Sequence, residues 1–201
     1  MKKLYCRQNQ SNTMQKFLII SAAMLMFSNA SKSQLLNKVL PPGEFSQSVS
    51  TIVENYSNNY HQIQGGSLPA DEDRDIFLST IQLPGTSNCV IYRFHSVEDT
   101  TASWQAVLYS GEDYKEAVKA YKNSFRQIRQ TKFNIGITKV SFEGDLELPG
   151  ESLRFTSSIL RPAVTAGIYK NFIAEVEMLN SIEGWTVKLS LHSRKADAER
   201  Y

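Results

Sequence analysis

Apolar side chains at Tyr114, Ala117, Val118, Tyr121, Phe125 and Ile128 fall three or four residues apart, with Lys115, Lys119, Lys122, Arg126 and Arg129 between them. That spacing predicts an amphipathic helix over 110–130. Ser110 is placed to accept from an orphan backbone N–H at its start, and Glu112 and Asp113 suit the positive end of a helix dipole. A second stripe, Phe45, Val49, Ile52, Val53, Tyr56, Tyr60 and Ile63, predicts a helix over 44–64 between Pro41-Pro42-Gly43 and Gly65-Gly66. Burying a large apolar side chain is worth about 1.5–3 kcal/mol before ordering entropy, so each stripe needs a sheet or helix to cover it.

Elsewhere the period is two. Segments 76–83, 88–94 and 101–109 read as strands, with Val90, Tyr92 and Phe94, then Trp104, Ala106 and Leu108, as apolar sets. After the second helix, strands are expected near 137–148, 152–160, 171–179 and 185–192. Their apolar sets are Leu153, Phe155, Ser157 and Ile159; Phe172, Ala174, Val176 and Met178; and Trp185, Val187, Leu189 and Leu191. Thr156, Glu175, Glu177, Thr186, Lys188 and Ser190 fall between them, the pattern of an antiparallel sheet with one covered and one wet face. Segment 67–75 reads as an acidic loop, and 161–170 as a connection long enough to carry function.

The order helix, strand, strand, strand occurs twice. A shift of 65 residues superposes Leu83-Pro84-Gly85 on Leu148-Pro149-Gly150 and the first helix stripe on the second. Helix stripes match by chance in many registers, so the turns carry the independent weight, and an internal αβββ duplication is the working expectation. The fold class expected is α+β: two amphipathic helices packed on one face of a six- to seven-stranded antiparallel sheet, in a two-layer sandwich spanning 44–194, with 34–43 as linker and 195–201 as an exposed tail. Repeat halves would be 44–109 and 110–192.

The first 33 residues differ from the rest. They hold Lys2, Lys3, Arg7, Lys16 and Lys32, no acidic residue, and an eleven-residue apolar run, Phe17–Phe27, too short to span a bilayer and without a polar stripe at helical spacing. This is the pattern of a cleavable signal peptide. Ala30 and Ser33 both end small-residue sites, the second being preferred, and Met14 is a candidate true start. Removing 1–33 changes the net charge from 22 − 20 = +2 to 17 − 20 = −3. A mildly acidic mature chain without a basic block is not the composition of a nucleic-acid binder, and no stable membrane insertion is expected after cleavage. Cys6 leaves with the leader, so Cys89 stands alone and reads as a buried thiol.

Catalytic motifs are not found. His61, His95 and His192 lack ligand spacing to one another or to a cysteine, so no metal site and no cofactor is expected. Cys89 and His95 lie six residues apart on one expected strand, about 20 Å, too far for proton transfer. Asp71-Glu72-Asp73-Arg74-Asp75 begins like a calcium loop but has Ile76 and Gln82 where Gly and Glu are needed. The expectation is therefore an exported periplasmic or secreted module, non-enzymatic, that binds another envelope protein or a small ligand. Alternation puts Arg93, Arg154, Glu175, Lys188 and His192 on its open sheet face. The alternative is a small hydrolase using His192 or His95 with acids from another strand.

Overall fold

Nine strands form the sheet, not six or seven, in the order β1-β2-β3-β4-β9-β8-β7-β6-β5. They are β1 (Gln64–Asp71), β2 (Arg74–Ser79), β3 (Cys89–Phe94), β4 (Ser103–Gly111), β5 (Lys132–Ile135), β6 (Thr138–Glu143), β7 (Phe155–Pro162), β8 (Phe172–Ser181) and β9 (Gly184–Ser193). All recorded pairings are antiparallel. Helix α1 (Pro42–Asn55) precedes the strands and α2 (Tyr114–Gln130) separates β4 from β5, giving an α+β chain. The computed structural model describes residues 42–71, 73–86, 88–95, 101–164 and 166–194, so the expected leader, most of the linker and the C-terminal tail lie outside the described residues.

Helix α2 starts at Tyr114 rather than at Ser110. Ser110 and Gly111 are still paired to Thr186 and Trp185 in β4, and the cap is Asp113, whose Oδ1 accepts from the backbone N–H of Lys115 (2.8 Å) and Glu116 (3.2 Å). Thr131 ends the helix in extended backbone and donates its hydroxyl to the Gln127 carbonyl at 2.8 Å. Within α2, Ala117, Tyr121, Phe125 and Ile128 are buried. The Tyr121 hydroxyl lies 2.5 Å from Ser158 Oγ on β7.

The first helix is shorter than its stripe. It opens at Pro42, where a missing N–H costs nothing, and ends at Asn55. Two 3-10 turns, Tyr56–Asn58 and His61–Ile63, follow around Asn59 (φ 51°) and Tyr60 (φ 59°). Left-handed backbone is costly for a tyrosine, so the surroundings must hold it. Asn59 Oδ1 accepts from the Ala102 N–H (2.6 Å), Arg93 donates to the Asn59 carbonyl (2.8 Å), and the Tyr60 hydroxyl donates to the Leu191 carbonyl (2.9 Å). All seven stripe residues are buried although the helix does not cover them all.

The remaining boundaries change for local reasons. The acidic loop at 67–75 is mostly the β1–β2 hairpin, and 137–148 splits into a β5–β6 hairpin ending at Glu143 and a loop. Gly136 supplies φ 61° at the tip of the second hairpin. The long 161–170 connection is pinned by Tyr169 in the 3-10 turn Gly167–Asn171, which donates its hydroxyl to the Val53 carbonyl at 3.2 Å.

The duplication expectation fares unevenly. Under the 65-residue shift β1, β2 and β3 fall on β5, β6 and β7 to within a few residues, and β9 lies between β4 and β8. The helices do not sit equivalently. The principal partners of α1 are β5 and α2, whereas those of α2 include β4, β6, β7, β8 and β9. Gly85 adopts φ 81° in its Leu-Pro-Gly turn, and Gly150 is not among the glycines with positive φ.

Core side chains come from alternate positions of the central strands: Cys89 and Ile91 on β3, Trp104 and Ala106 on β4, Val187, Leu189 and Leu191 on β9, and Phe172, Ala174, Val176 and Met178 on β8. The phases expected for β8 and β9 are those observed. For β3 and β7 they are reversed. Val90, Tyr92 and Phe94 are less buried than Cys89 and Ile91, and Phe155 is exposed while Thr156, Ser158 and Leu160 are buried.

Candidate functional site

Side chains one residue out of phase with this core form the outer side of the sheet. Across β8 and β9 the facing pairs are Ile173 with His192, Glu175 with Ser190, Glu177 with Lys188 and Leu179 with Thr186. β7 adds Ile159 opposite Glu175, Ser157 opposite Glu177 and Phe155 opposite Leu179, and β4 adds Gln105 opposite Ser190 and Val107 opposite Lys188.

Glu175 is the centre of this side. Its carboxylate is only 11% exposed and takes three side chains at once. Ser157 donates to Oε1 at 2.6 Å, His192 Nε2 lies 3.2 Å from Oε2, and Arg194 Nη1 lies 3.4 Å from Oε1. Both β-strand partners reach Glu175 along the diagonal, a distance polar side chains on one sheet face can close. The His192 hydrogen bond, with Ser157 and Arg194 adding to it, holds this carboxyl below the usual glutamate range despite burial. Glu177 shifts the other way, raised by burial and by the neighbouring Glu175 charge. A second chain of hydrogen bonds runs from Tyr92 Oη to Gln105 Oε1 (3.4 Å) and from Gln105 Nε2 to Ser190 Oγ (3.0 Å).

Apolar groups surround these polar ones. Ile173 is fully buried on this side, whereas Phe155 and Leu179 remain 52% and 37% exposed at the opposite end of the same rows. Of the five residues expected to share the open face, the structure brings Glu175, Lys188 and His192 together.

Arg93 belongs to the core side, in phase with Cys89 and Ile91. Its guanidinium donates to Gln64 Oε1 (2.8 Å) and the Asn59 carbonyl (2.8 Å), and meets His61 Nδ1 at 3.1 Å. It braces the left-handed bend, and burial lowers its pKa. Arg154 is exposed one residue before β7, in phase with the buried Thr156 and Ser158. Both misplacements have one cause. β3 is apolar in both phases, and in β7 Phe155 and Ile159 looked more core-like than Thr156 and Ser158, whose hydroxyl is instead consumed by Tyr121 and the Glu147 N–H.

Ser157, Gln105 and Arg194 were not singled out from the sequence. The alternation Glu175-Val176-Glu177 facing Lys188-Leu189-Ser190-Leu191-His192 was the signal available for the rest.

In a hydrolytic triad the histidine stands between nucleophile and acid, but here Glu175 stands between Ser157 and His192. Cys89 is buried, its thiol pushed up by desolvation, with Thr86 Oγ1 at 3.3 Å and no histidine among its recorded contacts. His95 sits 3.3 Å from Asp75 in a half-exposed pair. Among the described residues no group of three or more His, Cys, Asp or Glu side chains is placed to hold a metal, and no helix is long and apolar enough to cross a membrane. Comparison of the chain with protein families, curated proteins and solved structures finds no match in any of the three.

Proposed function

We propose that this chain is an exported, non-enzymatic binding module that docks an envelope protein or a small ligand on the outer side of its sheet, at the surface centred on Glu175, Lys188 and His192. This reading takes both helices as covering the core side in two layers, which leaves the outer side to a partner. One observation carries it: a buried carboxylate, held by three donors, lies in rows that also present exposed Phe155 and Leu179. Fixed polar groups beside apolar contact area are what a specific interface uses for orientation and for energy.

Export rests on the charge and apolar pattern of residues 1–33. N-terminal mass spectrometry of the secreted or periplasmic protein is expected to find a start at Ser31 or Gln34, and soluble protein with an intact Met1 would overturn export. For binding, partner recovery from an envelope extract is expected to fall with Lys188→Glu and to persist with Arg154→Glu. Equal recovery with both would overturn the site. The hydrolase alternative is the weaker reading, because among the described residues no hydrogen bond joins a hydroxyl or thiol to a histidine ring at this surface.

A further inference from the structure

Two loops at one end of the sheet carry aliphatic side chains that the core does not use. The β5–β6 hairpin turns through Gly136-Ile137, since Ile135 pairs with Thr138, and Ile137 at its tip is fully exposed. Val164 and Ile168, in the connection from β7 to β8, are about half exposed. In each loop a lysine follows the isoleucine by two residues, as Ile137-Thr138-Lys139 and Ile168-Tyr169-Lys170, and both lysines are exposed. Segments 132–142 and 162–172 hold Lys132, Lys139 and Lys170 and no acidic residue.

The two loops are held side by side. Ala163 donates its N–H to the Ser141 carbonyl at 2.9 Å, and Phe142 pairs with Pro162, so the hairpin runs on past the end of β7 beside the connection. Adjacent residues of α1 fasten both loops: Glu54 Oε1 accepts from the Asn134 N–H (3.1 Å) and Nδ2 (3.0 Å), and the Val53 carbonyl accepts from the Tyr169 hydroxyl. On the core side Phe133, Phe142 and Phe172 run ring to ring between the same strands, with centroids 4.8 and 6.3 Å apart. Of the flanking carboxylates, Glu54 is engaged with Asn134 and Glu143 stands opposite Arg161.

A fixed platform of protruding aliphatic side chains with lysines beside them suits a particular kind of surface. Protein interfaces are depleted in lysine and favour aromatic residues and arginine. The boundary between lipid headgroups and acyl chains takes aliphatic tips without a shaped pocket, and anionic headgroups attract the lysines next to them. Ile182 supplies the contrast. It is as exposed as Ile137, at the β8–β9 turn, but Glu183 follows it, and because β6 runs parallel to β8 this turn lies at the opposite end of the sheet.

We propose that the end of the sheet formed by the β5–β6 hairpin and the β7–β8 connection rests on an anionic lipid bilayer: Ile137, Val164 and Ile168 enter the headgroup boundary, and Lys139 and Lys170 meet lipid phosphates. The contact is peripheral, and it is independent of binding at the surface around Glu175.

A polarity-sensitive fluorophore attached to the full chain at Ile137→Cys, in a Cys6→Ser background with Cys89 buried, reads this contact locally whatever the leader does. With vesicles of phosphatidylglycerol and phosphatidylcholine in equal parts, its emission is expected to shift to the blue and to be quenched by spin-labelled lipid. The same label at Ile182→Cys is expected to do neither. Below saturation, Lys139→Glu should cut the shifted fraction about fivefold or more, and vesicles of phosphatidylcholine alone should give a comparably weak signal. The altered positions are exposed, so each variant is expected to keep the wild-type unfolding midpoint. No shift at Ile137, an equal shift at Ile182, or a shift indifferent to Lys139→Glu and to lipid charge would overturn the proposal. A shift produced by delipidated envelope protein and not by vesicles would also overturn it, by giving the surface to a protein partner.

Discussion

Truncating Glu175 to alanine removes the acceptor that three donors share. The Ser157 bond, 2.6 Å to a carboxylate, and the His192 bond are charge-assisted and largely shielded, and breaking such bonds costs about 1.5–3 kcal/mol when partners are left in place. Arg194 is 45% exposed and can turn to water, so its share is about 0–1 kcal/mol. Removing the Glu175 charge also relieves Glu177, a small gain in the other direction. The expected loss at pH 7 is about 2–3 kcal/mol, or a drop of roughly 5–10 °C in Tm for a domain of this size.

The pH dependence fixes the sign. Glu175 has a folded-state pKa below its unfolded value, so its contribution is complete above the unfolded carboxyl range, near 4.3, and is lost as pH falls through the folded value. Urea unfolding of wild type and Glu175→Ala at pH 7 and near pH 3 is therefore expected to show the gap narrowing in acid. A gap under about 0.5 kcal/mol at pH 7, or one that does not narrow, would refute the reasoning.

Four further substitutions probe what positions the site. Tyr121→Asp and Tyr56→Asp each place a carboxylate among buried aromatic and aliphatic groups and are expected to cost several kcal/mol by chemical denaturation; wild-type melting of either would mean that the core is misplaced. Tyr60→Phe deletes the hydroxyl that holds the left-handed bend to the Leu191 carbonyl, and a loss of about 1 kcal/mol is expected, with no loss arguing that the bend is held by Asn59 and Arg93 alone. Gly184→Ala strains a residue at φ 102° and drives a Cβ to 2.7 Å from the Gly111 carbonyl oxygen; a cost of about 1–3 kcal/mol is expected in equilibrium unfolding, and a neutral result would show that the β8–β9 turn can shift.

Legibility in the sequence followed how one-sided each segment is. α2 has a single apolar stripe and its buried residues were readable, although its cap was misread because Ser110 looked like a helix start while its backbone stays paired in β4. β8 and β9 alternate cleanly, so Glu175, Lys188 and His192 were assigned to the correct side. β3 has apolar residues in both phases, so only its neighbours decide that Cys89 and Ile91 face the core and that Arg93 goes with them. β1 and β5 are edge strands, one containing Gly65, Gly66 and Pro69 and the other only four residues long. The glycines and proline of β1 hide a period-two signal, and β5, although Phe133 is buried, is too short for its alternation to show, so neither was read as a strand. The left-handed pair Asn59–Tyr60 broke a helix whose stripe continues through it, because the contacts that stabilise the bend come from β3, β9 and Ala102, far along the chain.

Site-specific photocrosslinking most directly tests whether the outer side of the sheet is the binding surface. A photoreactive residue at Thr186, in the row beside Leu179, is expected to capture a defined partner or ligand from the envelope, and that capture should be lost with Lys188→Glu. The same group at Lys119, exposed on α2, is expected to capture nothing above background. Capture at Lys119 with none at Thr186, or capture at Thr186 indifferent to Lys188→Glu, would contradict the account.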